Sequence, residues 1–348
     1  MPDTSTFDTA DRECMTRAIA AAAQVRCVTS PNPWVGCVIR TLDGELYQGV
    51  THEPGGAHAE VDALAAAGAA AKGATVYVTL EPCAHTGRTG PCVDALVAAE
   101  VGRVVIGMED PDPRVSGRGI AALREAGIPV DVGLYTDRVS SQLAAYVKHR
   151  TTGRPYVVLK LAATLDGGTA APDGSSQWIT CPEARADGHR LRAESDAIVV
   201  GSGTIRRDDP SLTVRDYRPP VVPQGRTVDP LRVILGTAPA DARVQPCREM
   251  NGDLGAILDQ LGQDGILQVV VEGGASVAGA FHRAGLVDRY VIYLAPSLWG
   301  GGDARGLFTG PGAYTIDDLW RGNFHSVERV GRDLRIEMVP AAPTVDRS

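Results

Sequence analysis

Residues 79–92 read TLEPCAHTGRTGPC, and this stretch decides how the first half of the chain is understood. An apolar run at 74–80 predicts a buried strand leading into it. The segment from Pro91 onward predicts a helix with proline in its first turn. Two cysteines separated by eight residues are either a redox pair or part of a metal site. A redox pair usually has C-x-x-C spacing, which is absent here, so the metal site is favoured.

A histidine and a glutamate upstream strengthen the metal interpretation. His58 and Glu60 lie in GGAHAEVDAL, at the start of a strongly predicted helix. His58, Cys83 and Cys92 form an N/S set that zinc accepts, and a catalytic zinc site keeps a fourth position for water. The pattern H-x-E…P-C-x-x-C is typical of zinc base deaminases, although the loop here is longer. Two reduced structural cysteines remain the simpler alternative, which the joint pattern disfavours.

Strands alternate with helices along the first 150 residues, which predicts an α/β sheet covered by helices. A hairpin is predicted across Asp43-Gly44. One helix and a Gly/Pro-containing linker near 151–155 precede a second series of strands. We therefore expect two domains, at 1–150 and 154–340.

Composition limits the classes of function. The 348 residues carry a formal net charge of −8, which argues against a nucleic-acid scaffold. No apolar run reaches the roughly 20 residues of a membrane helix. The N-terminus is polar and acidic, unlike a signal peptide. We expect no nucleic-acid or membrane partner and a cytoplasmic location, where the seven cysteines stay reduced.

The second half contains two junctions of strand, glycine-rich turn and helix. AIVVGSGTIRR at 197–207 and VEGGASVAGAF at 271–281 are both suited to a phosphate approaching backbone amides. The first is G-x-G-x-x-R, and no ribose-binding acid stands at the spacing of a dinucleotide fingerprint. Ordinary turn chemistry is the alternative for either junction.

At this point the sequence resembles a known family over nearly its whole length. PNPWVGCVI, HAEVDAL and the quoted stretch resemble the deaminase half of the bifunctional riboflavin-biosynthesis deaminase/reductase family. The blocks at 160–178 and 190–215 resemble its reductase half, in the same order. The resemblance implies a mixed α/β fold class. The N-terminal domain would be a cytidine-deaminase-like three-layer α/β structure, and the C-terminal domain dihydrofolate-reductase-like.

The resemblance also implies roles for residues of the deaminase half. His58, Cys83 and Cys92 would bind one Zn²⁺, and Glu60 would transfer the proton. The base and ribose would be contacted by Asn32, His52, His85 and Asp110, and Arg88 would lie near the phosphate. The family often has Asp-Pro-Asn where this chain has Asp110-Pro111-Asp112. A second carboxylate near an anionic substrate is unfavourable unless it points away, so Asp112 receives no role.

For the reductase half the resemblance implies NADPH as cofactor. Cofactor contacts would come from Ala162, Trp178, Thr204, Asp208, Thr237, Gly274, Ala275 and Ser276. Substrate contacts would come from Ser176, Arg192, Leu212, Arg215 and Glu272. Lys160 and Asp208 would be the polar groups nearest to hydride transfer. The segment 237–271 is short, and we expect it to lack a strand before its helix, which leaves the preference for NADPH over NADH open.

The implied function is two consecutive reactions on a phosphoribosyl-pyrimidine, a deamination and then reduction of the ribosyl group to ribityl. A homo-oligomer, dimer or tetramer, is expected. One rival is a nucleoside or tRNA deaminase joined to an unrelated domain. That rival predicts neither phosphate-binding arginines nor a second glycine-rich group of residues, and the sequence contains both. Another is a module stabilised by structural zinc, which usually has four protein ligands where only three cluster here.

Overall fold

The structure, a computed structural model, describes residues 7–84, 90–222, 225 and 227–341. Two compact units divide the chain, Met1–Gly153 with Pro219–Thr227 and Arg154–Arg218 with Val228–Ser348. Each unit has its own main sheet. No described helix combines the length and apolar character that crossing a bilayer requires.

The first unit alternates helices and strands as the sequence predicts. Its elements are α1 (Thr9–Gln24), β1 (Gly36–Arg40), β2 (Leu46–Val50), α2 (Ala59–Ala67), β3 (Thr75–Leu80), α3 (Cys92–Ala98), β4 (Arg103–Met108), α4 (Arg118–Glu125), β5 (Val130–Val132), α5 (Thr136–Gln142) and α6 (Ala144–Thr152). They build a five-stranded sheet in the order β2-β1-β3-β4-β5. β1 pairs antiparallel with β2 and β3, whereas β3, β4 and β5 run parallel. The predicted hairpin across Asp43-Gly44 is confirmed.

Helices cover both faces of this sheet, and two glycines reveal the layering. A Cβ on Gly36 would lie 2.0 Å from the carbonyl oxygen of Ala18 in α1. A Cβ on Gly49 would lie 2.2 Å from the backbone nitrogen of Ala63 in α2. Gly49 pairs with Cys37, the neighbour of Gly36, and successive residues of a strand face opposite sides. Therefore α1 and α2 pack on opposite faces, which gives three layers.

The second unit contains a larger mixed sheet. Its elements are β6 (Tyr156–Thr164), β7 (Gly168–Ala170), α7 (Pro182–Ala193), β8 (Ala197–Gly201), α8 (Ser202–Asp208), β9 (Leu231–Leu235), β10 (Arg248–Met250), α9 (Leu254–Gln263), β11 (Gln268–Val271), α10 (Ala275–Arg283), β12 (Arg289–Ala295), β13 (Arg305–Gly306), β14 (Gly322–Val330) and β15 (Asp333–Pro340). Eight strands form the order β10-β9-β8-β11-β6-β12-β15-β14, and β7 pairs separately with β13.

The parallel part of this sheet gathers the glycine-rich turns at one edge. β10, β9, β8, β11, β6 and β12 run parallel, and β15 and β14 complete the sheet antiparallel. β8 and β11 are adjacent and entirely buried, as expected of strands covered on both faces. The carboxyl end of β8 continues directly into α8, and residues 272–274 connect β11 to α10. The two turns predicted from the sequence as phosphate sites are therefore neighbours.

Two expectations about local structure need correction. The segment 237–271 does not lack a strand, because β10 lies there and pairs parallel with β9 ahead of α9. This strand has only three residues and lies at the edge of the sheet, so its apolar signal is too weak to be recognised from the sequence. The single helix expected ahead of the linker is two helices, α5 and α6, separated by Leu143.

The close approach of α2 to Gly49 gives a prediction about stability. In Gly49→Ala the new methyl group would meet the backbone of Ala59 and Ala63, which cannot move like a flexible side chain. We expect a loss of about 1–3 kcal/mol in the free energy of unfolding, measured by urea denaturation. Gln48→Ala, at the neighbouring exposed position of β2, is the control. Equal stability of the two variants would contradict this packing.

Candidate active sites

The three expected metal ligands converge in the first unit. His58 is the N-cap of α2, Cys92 is the first residue of α3, and Cys83 lies in the loop after β3. His58 Nδ1 is 3.2 Å from Cys92 Sγ and 3.6 Å from Cys83 Sγ, and the two sulfurs are 3.5 Å apart. A tetrahedral zinc with ordinary bond lengths separates such atoms by about 3.5–3.8 Å. The donor set therefore fits zinc, with three protein ligands among the described residues.

Electrostatics at this cluster favour a thiolate and a buried carboxyl. Cys92 and His58 together lower the pKa of the Cys83 thiol to about 4 despite burial. Burial raises the pKa of the Glu60 carboxyl to about 7. Glu60 is 4% exposed and follows His58 in the first turn of α2, so it faces the same cavity. A carboxyl that gains or releases a proton near neutral pH suits general acid/base work.

A cavity of about 750 Å³, here called the deaminase cavity, opens onto the cluster. Its lining includes His58, Glu60 and Cys83 together with Asn32 and Asp110. The structure thus brings the metal cluster together with two of the expected base-contacting residues. The volume lies within the usual range for small-molecule sites.

Glu81, immediately before Pro82-Cys83, holds two walls of this cavity together. Its carboxylate accepts backbone N–H groups of Asp110 at 3.1 Å, Gly117 at 3.0 Å, Gly119 at 2.8 Å and Ile120 at 3.2 Å. The chain also approaches itself closely here, because a Cβ on Gly119 would lie 1.9 Å from the oxygen of Pro82. The loop with Cys83 is therefore fixed against the segment after β4.

Asp110 and Asp112 are both buried in that segment but have different partners. Tyr146 Oη donates to Asp110 at 3.2 and 3.3 Å, and burial raises the pKa of the Asp110 carboxyl. Asp112 pairs with the Arg114 guanidinium, with Nη2–Oδ2 at 2.6 Å and Nε–Oδ1 at 2.9 Å. Arg114 thereby lowers the pKa of Asp112 to about 2. The extra carboxylate is neutralised, which resolves the objection that its charge would repel an anionic substrate.

One of the remaining expected residues of this half lies in the described part of the chain, and two do not. His52 lies outside the described lining of the cavity, and its Nε2 is 3.1 Å from Asp62 Oδ1. His85 and Arg88 lie outside the described residues.

Most of the residues expected in the reductase half share one cavity in the second unit. This cavity of about 290 Å³, here called the reductase cavity, lies beyond the carboxyl ends of β8 and β11 and beside residues 160–162 of β6. Eight expected residues line it: Ala162, Ser176, Trp178, Thr204, Asp208, Glu272, Gly274 and Ala275. The side chain of Trp178 is 65% exposed, so this ring is a surface feature of the cavity rather than a core aromatic.

Glu272 is the electrostatic centre of the reductase cavity. Arg192 holds its carboxylate in a two-pronged pair, with distances of 2.7 and 2.9 Å. Lys160 Nζ is 3.9 Å from Glu272 Oε2. Burial alone would raise the pKa of Glu272, but Arg192 and Lys160 outweigh it and lower the pKa to about 2. Glu272 is therefore an anionic hydrogen-bond acceptor, and a proton donor must be sought elsewhere.

Five expected residues do not line the described reductase cavity. Arg192 is paired with Glu272, and Ser276 lines a neighbouring cavity of about 400 Å³. Thr237 follows β9 at the same sheet edge and is exposed. Arg215 is exposed and donates from Nη1 to Ser211 Oγ at 2.9 Å. A fifth residue, Leu212, is 3% exposed and belongs to the core cluster around Ile198 and Ile234.

Sequence reasoning missed several residues that shape both sites. Glu81 carries a usable signal, because an acidic residue directly after a buried strand must find partners. Tyr146 and Arg114 carry none, since their contacts with Asp110 and Asp112 depend on the folded loop. Arg305 lines the reductase cavity from β13, and its GGDARG context marks it only as a loop residue.

The fold and both sites define a class of protein: a zinc deaminase of the cytidine-deaminase type joined to a reductase. Comparisons with known proteins agree. Residues 8–108 match the cytidine and deoxycytidylate deaminase zinc-binding region, and residues 155–336 match the RibD C-terminal domain. The chain belongs to the family of the riboflavin biosynthesis protein RibD, the bifunctional deaminases and reductases of riboflavin biosynthesis. The predicted family, mixed α/β fold class, bifunctional activity and cofactors, zinc and NADPH, are confirmed.

The similarity extends over nearly the whole length of the relatives. The riboflavin biosynthesis protein RibD of Escherichia coli strain K12 is 42% identical, covering 95% of this chain and 100% of the relative. The structure of Acinetobacter baumannii RibD, form 1, is 37% identical with a TM-score of 0.89, covering 96% of this chain and 99% of that chain. A Thermotoga maritima diaminohydroxyphosphoribosylaminopyrimidine deaminase/5-amino-6-(5-phosphoribosylamino)uracil reductase is 30% identical with a TM-score of 0.84, covering 95% and 99%.

The partners of Glu81 give a prediction about the deaminase cavity. In Glu81→Gln the amide group would turn a donor towards backbone donors, and each unsatisfied buried N–H costs about 1–3 kcal/mol. We expect a lower melting temperature and weaker zinc retention during dialysis against a chelator. Glu109→Gln, an exposed glutamate of the same segment, is the control. If both variants have the same melting temperature and retain zinc equally, the carboxylate of Glu81 does not organise the loops of the deaminase cavity.

Proposed function

We propose that this enzyme deaminates 2,5-diamino-6-ribosylamino-4(3H)-pyrimidinone 5′-phosphate and then reduces its ribosyl group to ribityl with NADPH. The product is 5-amino-6-ribitylamino-uracil 5′-phosphate. The observation that carries the proposal is the cluster of His58, Cys83 and Cys92 beside the buried Glu60, at one end of a large cavity. The Thermotoga maritima relative, whose name contains both activities, supports the choice of substrate.

In the first reaction we assign His58, Cys83 and Cys92 as the ligands of one zinc ion. When bound, zinc activates a water molecule for attack on the amine-bearing carbon of the pyrimidine. Glu60 accepts a proton from that water and delivers a proton to the leaving amine. Base and ribose are assigned to Asn32, His52, His85 and Asp110, and Arg88 is assigned to the phosphate.

Hydrogen bonding orients two groups of the deaminase cavity. The pair of Asp112 and Arg114 keeps the second carboxylate from facing the substrate as a free charge. Tyr146 fixes Asp110 through its hydroxyl group. Asp110 is therefore presented as an oriented acceptor for the amine or hydroxyl groups of the substrate.

In the second reaction the reductase cavity holds the nicotinamide half of the cofactor beside the sugar of the substrate. NADPH supplies the hydride when bound. We assign its contacts to Ala162, Trp178, Thr204, Asp208, Thr237, Gly274, Ala275 and Ser276. We assign the substrate to Ser176, Arg192, Leu212, Arg215 and Glu272. Glu272, kept ionised by Arg192, accepts hydrogen bonds from ribose hydroxyl groups, and Lys160 is the cation nearest to it after Arg192.

We also propose the organisation around these activities. The deaminase is assigned to residues 1–150 and the reductase to 154–340, in a cytoplasmic enzyme without nucleic-acid or membrane partners. A homo-oligomer, dimer or tetramer, is supported by the edge strand β14, where Phe324 is 69% and Val327 55% exposed. Both lie on one face, opposite Met338 and Ile336 of β15. Light scattering of the purified enzyme measures the oligomeric state.

The experiment that tests the function is incubation with the pyrimidine substrate, with and without NADPH, followed by mass spectrometry. Without NADPH we expect replacement of one amine by oxygen, and with NADPH a further gain of two hydrogen atoms. If neither mass change is observed with a zinc-loaded preparation, the proposed substrate is refuted.

The ligand assignment predicts the behaviour of a cysteine variant. Cys83→Ser replaces a thiolate ligand by a hydroxyl, which binds zinc poorly at neutral pH. We expect less than about a tenth of the wild-type zinc by elemental analysis, and loss of deamination. Reduction of supplied deaminated substrate should persist. Cys27→Ser, a half-buried cysteine outside the cluster, is the control, and full zinc in Cys83→Ser would overturn the assignment.

The role of Glu60 predicts a different pattern. Glu60→Gln keeps the size of the side chain but removes its proton transfer, which typically contributes ~10²–10⁴-fold. We expect normal zinc content with deamination reduced by at least this range, because one residue serves two transfers. Normal zinc content reports an intact deaminase site, and reductase activity in the same preparation reports correct folding of the second unit. Deamination within tenfold of wild type would reassign the proton shuttle.

A further inference from the structure

A second cavity adjoins the reductase cavity within the same unit. This adjoining cavity has a volume of about 400 Å³. The two cavities share five lining residues: Thr204, Arg207, Gly274, Ala275 and Arg305. These five residues are here called the shared wall. A ligand that fills both cavities must therefore pass the shared wall, which contains two arginines.

The charges of the two cavities differ. Besides the two shared arginines, the reductase cavity includes the carboxylates of Asp208 and Glu272 and the cations of Lys160 and Arg185. Among the described residues, the lining of the adjoining cavity contains no carboxylate, and its charged groups are Arg207 and Arg305. An anionic group is therefore favoured at the shared wall and beyond it.

Backbone contacts anchor the segment that carries one of these arginines, Arg305. Arg305 belongs to β13 and pairs with Ala170 of β7, and Thr169 Oγ1 donates to the Arg305 carbonyl at 3.0 Å. A few residues later the Thr309 N–H donates to the Ala275 carbonyl at 3.1 Å. The segment after β13 is thereby tied to the start of α10. Arg207 reaches the same wall from α8.

We propose that Arg207 and Arg305 clamp the pyrophosphate that joins the two nucleotide halves of NADPH. This inference rests on the proposed function, in which the nicotinamide half lies in the reductase cavity beside Trp178 and Glu272. The adenosine half then occupies the adjoining cavity. The pyrophosphate is the part of the cofactor common to both, and two guanidinium groups match its paired oxygens. The 2′-phosphate lies at the far end of the adenosine half, away from the shared wall.

The structure offers a closely matched control. Arg206 precedes Arg207 in α8, carries the same charge and is also exposed, but it lines neither described cavity. Arg207→Gln, Arg305→Gln and Arg206→Gln are compared in the full-length enzyme by titration calorimetry with NADPH and with NADH. Because all three side chains are exposed, we expect unchanged melting temperatures.

Loss of a charge-assisted hydrogen bond should weaken dinucleotide binding roughly 10- to 150-fold in Arg207→Gln and Arg305→Gln, by a similar factor for NADPH and NADH. Arg206→Gln should stay within about twofold of wild type. Inorganic pyrophosphate should compete with NADPH in the wild type and much less in the two cavity variants.

Two results would overturn the clamp. If the substitutions weaken binding of NADPH but not of NADH, the arginines contact the 2′-phosphate instead of the pyrophosphate. If all three substitutions weaken binding equally, the arginines contribute only general surface charge. Failure of the wild type to bind either dinucleotide would instead refute the proposed reductase.

Discussion

The deaminase cavity depends on one buried carboxylate that accepts four backbone N–H groups. Glu81 stands at the end of β3, directly before Pro82-Cys83, and its partners lie between Asp110 and Ile120. Hydrogen bonds to an ionised acceptor are stronger than those between neutral groups. The metal cluster and the wall with Asp110 therefore cannot move independently. A site in which zinc and substrate contacts come from separate loops needs such a link to preserve its geometry.

The second unit solves the same problem with different chemistry. Glu272 also follows a buried parallel strand directly, but a guanidinium and an ammonium group surround its carboxylate instead of backbone amides. Glu81 thereby binds the backbone of the cavity loops, whereas the carboxylate of Glu272 lines the reductase cavity as the partner of Arg192. The contrast shows how the position after a strand in an α/β sheet serves either architecture or ligand recognition, according to which donors the fold supplies.

Sequence reading succeeds where information is local. The strands around Val78, Val199 and Val270 are continuous apolar runs, and the metal ligands are recognisable because histidine and cysteine have few other reasons for such spacing. It fails where the conformation of the folded chain decides the partner. The sequence around Asp112 does not distinguish a two-pronged pair with Arg114 from an exposed turn. Likewise, a short edge strand such as β10 gains its pairing from β9 and not from its own composition.

The contact between Gly119 and Pro82 has a genetic consequence. Apart from silent changes at the third position, a single-nucleotide change in a glycine codon gives a residue that carries a Cβ or, from one of the four codons, a stop. At this position every such missense change forces a carbon atom to within 1.9 Å of a carbonyl oxygen that itself lies next to Cys83. Substitutions at Gly119, which is not itself a metal ligand, therefore disturb the loop that contains Cys83. In a screen for riboflavin auxotrophs, the codon for Gly119 should contribute alleles that no inspection of the histidine and cysteines would anticipate.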